Sequence, residues 1–158
     1  MAKYNAYTIA SWFIQRNAQA VKNEDADNLT LMKLLKLLYY AEGCFLALMG
    51  SSLFDEDIIA WEHGPVVVEV YSKYCRDPYN LPLSDQDRND ADKIDQKDEE
   101  LLEQVFQVFG QYSASGLRNK THAETPWIEA TNNGKVLKRK IDREVMKEYF
   151  LNNYVEVN

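Results

Sequence analysis

Cysteine is nearly absent from this chain. There are two, Cys44 and Cys75, and no CxxC spacing. With two histidines, His63 and His122, they never fall at the paired spacing of a structural zinc site, so no metal is expected. Both cysteines lie in apolar or aromatic helical patterns, which predicts two buried free thiols in a reducing compartment. No apolar run approaches the ~20 residues of a membrane helix. No signal peptide opens the chain, because Met1-Ala2-Lys3-Tyr4-Asn5 leads straight into an amphipathic stretch. These features predict a cytoplasmic protein. Repeats, low-complexity tracts and a second-domain boundary are also missing, so residues 1–158 read as one domain. Positive charge is the scarcer sign: 18 Lys and Arg stand against 25 Asp and Glu, a formal charge of −7. An acidic domain repels phosphate backbones at long range and attracts basic proteins, which disfavours nucleic acid as a partner.

What is present is apolar and aromatic. Hydrophobic residues make up 46% of the chain, enough for a core without staples, and there are 10 tyrosines. Tyrosine pairs an apolar face with one polar tip, which suits half-buried packing and protein interfaces. Ile9, Trp12, Phe13 and Ala20 form one stripe of a helix over about residues 5–21. The polar run Asn23 to Asn28 predicts a loop. Thr30 is placed to cap a second helix, in which Leu31, Leu34, Leu35, Leu38, Ala41, Phe45 and Leu48 keep helical spacing and Gly50 supplies the stop. That helix is expected to be central, with Lys33, Lys36 and Tyr40 on another face.

Leu53 to His63, with an acidic turn inside it, predicts a short strand or small hairpin. Gly64 would break the strand and Pro65 would open a helix of about residues 65–76. Residues 77–97 are expected to be a loop, with a short strand inside it as the alternative. Asp98 or a neighbour would cap a helix with Leu101, Leu102, Val105, Phe106, Val108 and Phe109 inward. Ser115 to Lys120 reads as a short helical turn, Thr121 to Thr131 as a helix ended by Asn132-Asn133-Gly134, and Asp142 as the cap of a last helix through Phe150 with Val145, Met146 and Tyr149 inward. The expected fold is mainly α with a minor β part: a compact helical domain around a central apolar helix, with a hairpin or small sheet.

Few groups suggest chemistry. Cys44 with His63 or His122 could form a nucleophile and base, but an apolar setting favours an inert thiol. Glu62-His63 and His122-Ala123-Glu124 each set a carboxylate near an imidazole. The second reads better as a structural corner than as a hydrolase centre, because no nucleophile, phosphate loop or cofactor motif accompanies it. Lys135, Lys138, Arg139, Lys140 and Arg143 are the densest basic cluster, read as a solvated face, with phosphate or an acidic partner as alternatives.

The assembled motifs resemble one family. Leu29-Thr30-Leu31-Met32-Lys33-Leu34-Leu35-Lys36-Leu37-Leu38-Tyr39-Tyr40-Ala41-Glu42-Gly43 is similar to the signature helix of the Panacea domain, also called SocA-like or phage-associated GepA-like. The similarity continues through Leu53-Phe54-Asp55-Glu56, then Ala60-Trp61-Glu62-His63-Gly64-Pro65-Val66 and Val70-Tyr71. It resumes at Leu117 and Thr121-His122-Ala123-Glu124-Thr125-Pro126-Trp127. The tail after Gly134 carries no family signature. The resemblance implies a non-enzymatic antitoxin of a two-gene system, neutralising a toxin encoded next door by direct binding, with a suspected part in phage defence. One branch implies instead a protease adaptor that delivers its toxin to a ClpXP-type protease. A homodimer or a complex with toxin is expected. Trp61 and Trp127 would act as core pegs and Gly64-Pro65 as a fixed corner. Lys33, Lys36, Tyr40, Glu62 and His63 are the expected partner-binding residues.

Overall fold

Asn5 starts the first helix, α1 (Ala6–Lys22), by accepting the Thr8 amide on its side chain at 2.9 Å. The computed structural model describes residues 2–155. The second helix, α2 (Leu31–Met49), begins and ends where the sequence predicts. Thr30 Oγ1 accepts from the Lys33 amide, and Gly50 closes it at φ 74, in the left-handed region that a side chain disfavours. It is central: helices α1, α3 (Val68–Tyr74), α5 (Gln96–Phe109), α6 (Ala114–His122) and α8 (Arg143–Asn153) all pack on it. Consequently, from Leu34 to Ala47 it is buried on every side. Its last turn emerges, and Leu48, expected inward, is 47% exposed. Gly43 of α2 makes room for α8, because any Cβ there would collide with the Phe150 ring.

A three-stranded antiparallel sheet covers one end of the molecule, in the order β2-β1-β3: β1 (Ile59–Trp61), β2 (Gly64–Val66) and β3 (Arg139–Lys140). The predicted hairpin is therefore present, but its turn is Glu62-His63 and not the acidic stretch before it. Pro65 does not open a helix. It lies in β2 opposite Ala60, on a sheet edge, where a missing N–H costs no ladder bond. α3 starts three residues later, at Val68. The tail after Gly134 returns to the sheet, with the Lys138 amide donating to the Ala60 carbonyl and the Ile141 amide to that of Ile58.

Two further expectations are corrected. Residues 77–97 are not all loop, because α4 (Asp85–Asp92) lies inside them. Ser84 and Asp87 form a reciprocal capping box, and acidic residues in the first turn suit the helix dipole. Only Ala91 of α4 is buried, so the helix shows no apolar period. The N-cap of α5 is Asp95. Asp98 is instead a buried side chain that accepts from the Tyr4 hydroxyl at 2.7 Å and pairs with Lys3. Thr121 and His122 end α6, and α7 (Thr125–Ala130) follows with Pro126 in its first turn. Asp142 caps α8 as predicted, through the Glu144 amide. Cys44 is buried, its thiol pushed up to about 12 by desolvation and then by Glu124, whereas Cys75 is exposed. The buried side chains form one connected cluster across these elements.

Candidate partner-binding site

The interior holds two carboxylates that the helices must satisfy. Glu124 caps α7 only by position, because its side chain turns inward and is 2% exposed. The hydroxyl of Tyr39 donates to its Oε1 at 2.9 Å, and those of Tyr40 and Tyr154 donate to Oε2. Burial pushes the carboxyl upward, and the three hydroxyls oppose that shift. The phenols of Tyr39 and Tyr40 are themselves raised, first by burial and then by Glu124. Glu42, on α2, accepts from the Leu53 and Phe54 amides and from Arg143 Nε at 3.2 Å. His122 lies away from Glu124's hydrogen bonds, its ring tilted against Trp127 at a centroid distance of 4.1 Å.

Around the hairpin corner the charge is of the other sign. Lys36 reaches from α2 to the backbone of Gly64, which has φ 121; a Cβ there would stand 3.2 Å from the lysine Cε and 3.1 Å from Thr121 Oγ1. Lys36 is 1% exposed, and its ammonium donates to the Met32 carbonyl one turn back, at 3.2 Å. Among the described residues it forms no ion pair. Burial, and after it the charge of Arg118 of α6, lowers its pKa to about 8. His122 is likewise lowered, mainly by burial, against the opposing influence of the Glu62 backbone and with smaller contributions from Arg118, Lys36 and His63; its Nε2 is buried without a hydrogen-bond partner among the described residues. The hairpin is pegged over this group: Trp127 Nε1 donates to the Trp61 carbonyl at 3.0 Å, and Trp61 meets Tyr71 edge to face.

The structure thus separates the residues expected to meet a partner. Glu62 and His63 are exposed at the hairpin tip. The expected outer face of α2 is corrected: Lys36 and Tyr40 are buried, and Lys33 is half-buried with its ammonium donating to the Gly110 carbonyl at 2.5 Å. The amphipathic rule fails here because α2 has no solvent face along most of its length. Arg118, Glu42 and Tyr154 were missed. Only Glu42, one charge inside an apolar run, gave a signal in the sequence. Of the basic tail cluster, Lys135, Lys138, Arg139 and Lys140 are exposed, and Arg143 turns inward to Glu42.

The unpaired lysine leads to a stability prediction. The unfolded chain holds the Lys36 proton to about pH 10.5, whereas the folded chain releases it near pH 8. Over that interval the unfolded state binds more protons, so stability rises with pH. Above about pH 10 the raised tyrosines reverse the trend, because the unfolded phenols ionise first. Lys36→Met keeps the stem and removes the charge. It is expected to stabilise the protein at pH 7 by about 1–3 kcal/mol and to flatten the rise between pH 8 and 9.5 in urea unfolding. Unchanged stability with the rise intact refutes this account of Lys36.

Among the described residues, no helix is long and apolar enough to cross a membrane. None of the curated proteins and none of the solved structures matches the chain. The model of one family does, over residues 34–128, a span that runs from the first turns of α2 through the hairpin corner and α6 into α7. That span is more than half of the sequence and holds Glu42, Glu124, Lys36 and both tryptophan pegs, so the chain belongs to the antitoxin SocA-like family of Panacea domains.

Proposed function

We propose that this chain is the antitoxin of a type II toxin–antitoxin pair, acting in the cytoplasm by binding a toxin made from the adjacent gene, in the service of phage defence. The observation that carries the reading is the family match over residues 34–128. The placement of the signature residues supports it. Thr30, Gly64, Pro65, Val66, Thr121, Glu124, Pro126 and Trp127 cap helices, form the hairpin corner or fill the core, while Glu62 and His63 stand at an exposed tip. That is a scaffold presenting a surface, and the reading is non-catalytic. A neutralising complex of ordinary size buries on the order of 1,600 Å², with a few aromatic or arginine anchors carrying most of the energy.

The test is co-expression with the product of the neighbouring gene. The neighbour alone should arrest growth, and this chain should restore it and co-purify with the neighbour at equal stoichiometry. A neighbour that is harmless, or toxic and not rescued, sinks the proposal. A pulse-chase then tells masking from delivery to a ClpXP-type protease: a masked toxin keeps its lifetime, and a delivered one loses it.

A further inference from the structure

The chain carries seven more acidic than basic side chains, yet Lys36, Arg118 and the two histidines gather at the hairpin corner. Among the described residues Lys36 pairs with no carboxylate, and the charge acting on it is that of Arg118. His122, one turn after Arg118 on α6, feels the backbone of Glu62 and the charges of Arg118, Lys36 and His63, and its Nε2 has no partner among the described residues. Lys36 has capacity for three hydrogen bonds and uses one, on a carbonyl of its own helix. Burying a charge without a counter-ion is costly, and such a group is normally paired or replaced. Arg118 is half-buried and His63 exposed, so the cluster reaches solvent at the hairpin tip.

We propose that the β1–β2 corner is an anion site, in which Arg118 and His63 receive a carboxylate side chain of the bound partner protein while Lys36, beneath them, supplies the supporting positive charge and His122 a buried ring nitrogen with no partner of its own among the described residues. The inference rests on the antitoxin reading only for the identity of the partner. A carboxylate fits better than a polyanion because the net charge of −7 repels phosphate chains, whereas a single acidic side chain pays little of that repulsion. A partner drawn in by the overall acidic field must still bring one acidic group to this corner, and that requirement fixes the register of docking. Arg118 offers the planar fork that binds a carboxylate in bidentate fashion. The glycine at position 64 keeps the hairpin backbone close enough for the Lys36 field to be felt at the surface.

The experiment has two arms. In the first, the purified chain at 150 mM salt is titrated with a capped hexapeptide carrying two adjacent glutamates, and the ring signals of His122 and His63 are followed by NMR. The expected result is saturable binding with the His122 titration midpoint moved upward, lost in Arg118→Glu. The same peptide with glutamines, or with lysines, should leave both rings unmoved. No saturation with the glutamate peptide overturns the site, and tighter binding of inorganic phosphate overturns the assignment to a carboxylate. In the second arm, binding to the neighbouring gene's product is measured. Arg118→Glu and His63→Asp should each weaken it at least tenfold. Lys36→Met should also weaken it although the variant is the more stable protein, an outcome that a folding defect cannot produce. Full affinity in all three variants overturns the anion site and leaves the antitoxin reading standing. A first arm that succeeds with a neighbour that never binds overturns the antitoxin reading and leaves the site.

Discussion

Replacing Glu124 with alanine is expected to destabilise the protein by about 3–5 kcal/mol, enough to abolish folding in a domain of ordinary stability. Glu124 is the common acceptor of three phenols that come from two distant parts of the chain: Tyr39 and Tyr40 on α2, and Tyr154 just after α8. Tyr39 and Tyr40 are completely buried, so truncation leaves two hydroxyls with neither partner nor water. Tyr40 has little freedom to find another acceptor, being stacked on Phe109 at 4.0 Å and edge-on to Tyr154. Glu124→Gln is the informative contrast. The amide keeps one acceptor oxygen, and a phenol facing the NH2 group can turn to accept from it, so the loss should fall to about 1–2 kcal/mol. The carboxyl is raised by burial, so the folded chain holds its proton more firmly than the unfolded one. This part of the stability is present below pH 4.5 and declines as pH rises through the folded value; Gln removes that decline. Urea midpoints of both variants at pH 5 and pH 7.5 check the argument. A loss below about 1 kcal/mol in Glu124→Ala would mean that the hydroxyls have other partners.

Much of this architecture is legible from residues that act locally. Thr30 and Gly50 bracket α2 because a hydroxyl at the N-cap and a left-handed residue at the C-terminus act within one turn. Asp142 announces α8 in the same way. The misreadings arise where a distant element decides. Pro65 suits the start of a helix and the edge of a sheet equally well, and only the pairing of β1 with β2 and β3 makes it an edge. α4 is eight residues of polar sequence whose single buried side chain is Ala91, so periodicity has nothing to register; the capping box at Ser84 was the usable signal. Lys36 and Tyr40 depart from the leucine stripe, which is why their spacing points to a surface. Depth is set by how many neighbours surround the helix, which hydropathy along one segment does not encode. The same limit hid the candidate site. Arg118 belongs to no motif, and its relation to Lys36, His63 and His122 exists only once α6 lies beside β2 and α2.

The two buried acids explain why the signature runs over such separated blocks. Glu42 ties α2 to the strand-leading loop at Leu53 and Phe54, and Glu124 ties α2 to α7 and to the end of α8. Each gathers donors from segments far apart in the sequence, so each helps to fix how those segments lie on α2. The hairpin that carries Glu62 and His63 hangs from these two clamps and from the Trp127–Trp61 bond. A surface used to recognise a partner must be held in one geometry before binding, or the ordering cost is subtracted from affinity.

Arg143→Ala tests the first clamp. The guanidinium donates from Nε to Glu42 at 3.2 Å and from Nη2 to the Phe54 and Glu56 carbonyls at 3.1 and 2.7 Å, and is the counter-charge to a carboxylate with no exposed surface. Its removal strands a buried acid, a change that costs about 3–5 kcal/mol where both partners are desolvated. The arginine side chain is 19% exposed, which places the expected loss near the lower end. Burial already raises Glu42, and Arg143 is the largest influence opposing that shift. Without it the carboxyl rises further, so the variant should regain stability as pH falls from 8 towards 5, where the acid takes up a proton in the folded state. Pairing Arg143→Met with Glu42→Gln removes both charges while leaving an oxygen for the Leu53 and Phe54 amides. That double variant should be more stable at pH 7.5 than Arg143→Ala, with a coupling of about 1–3 kcal/mol in the corresponding cycle. A loss in Arg143→Ala that does not change with pH would place its cause in the two carbonyls, and Glu42 would then be held by the backbone amides alone.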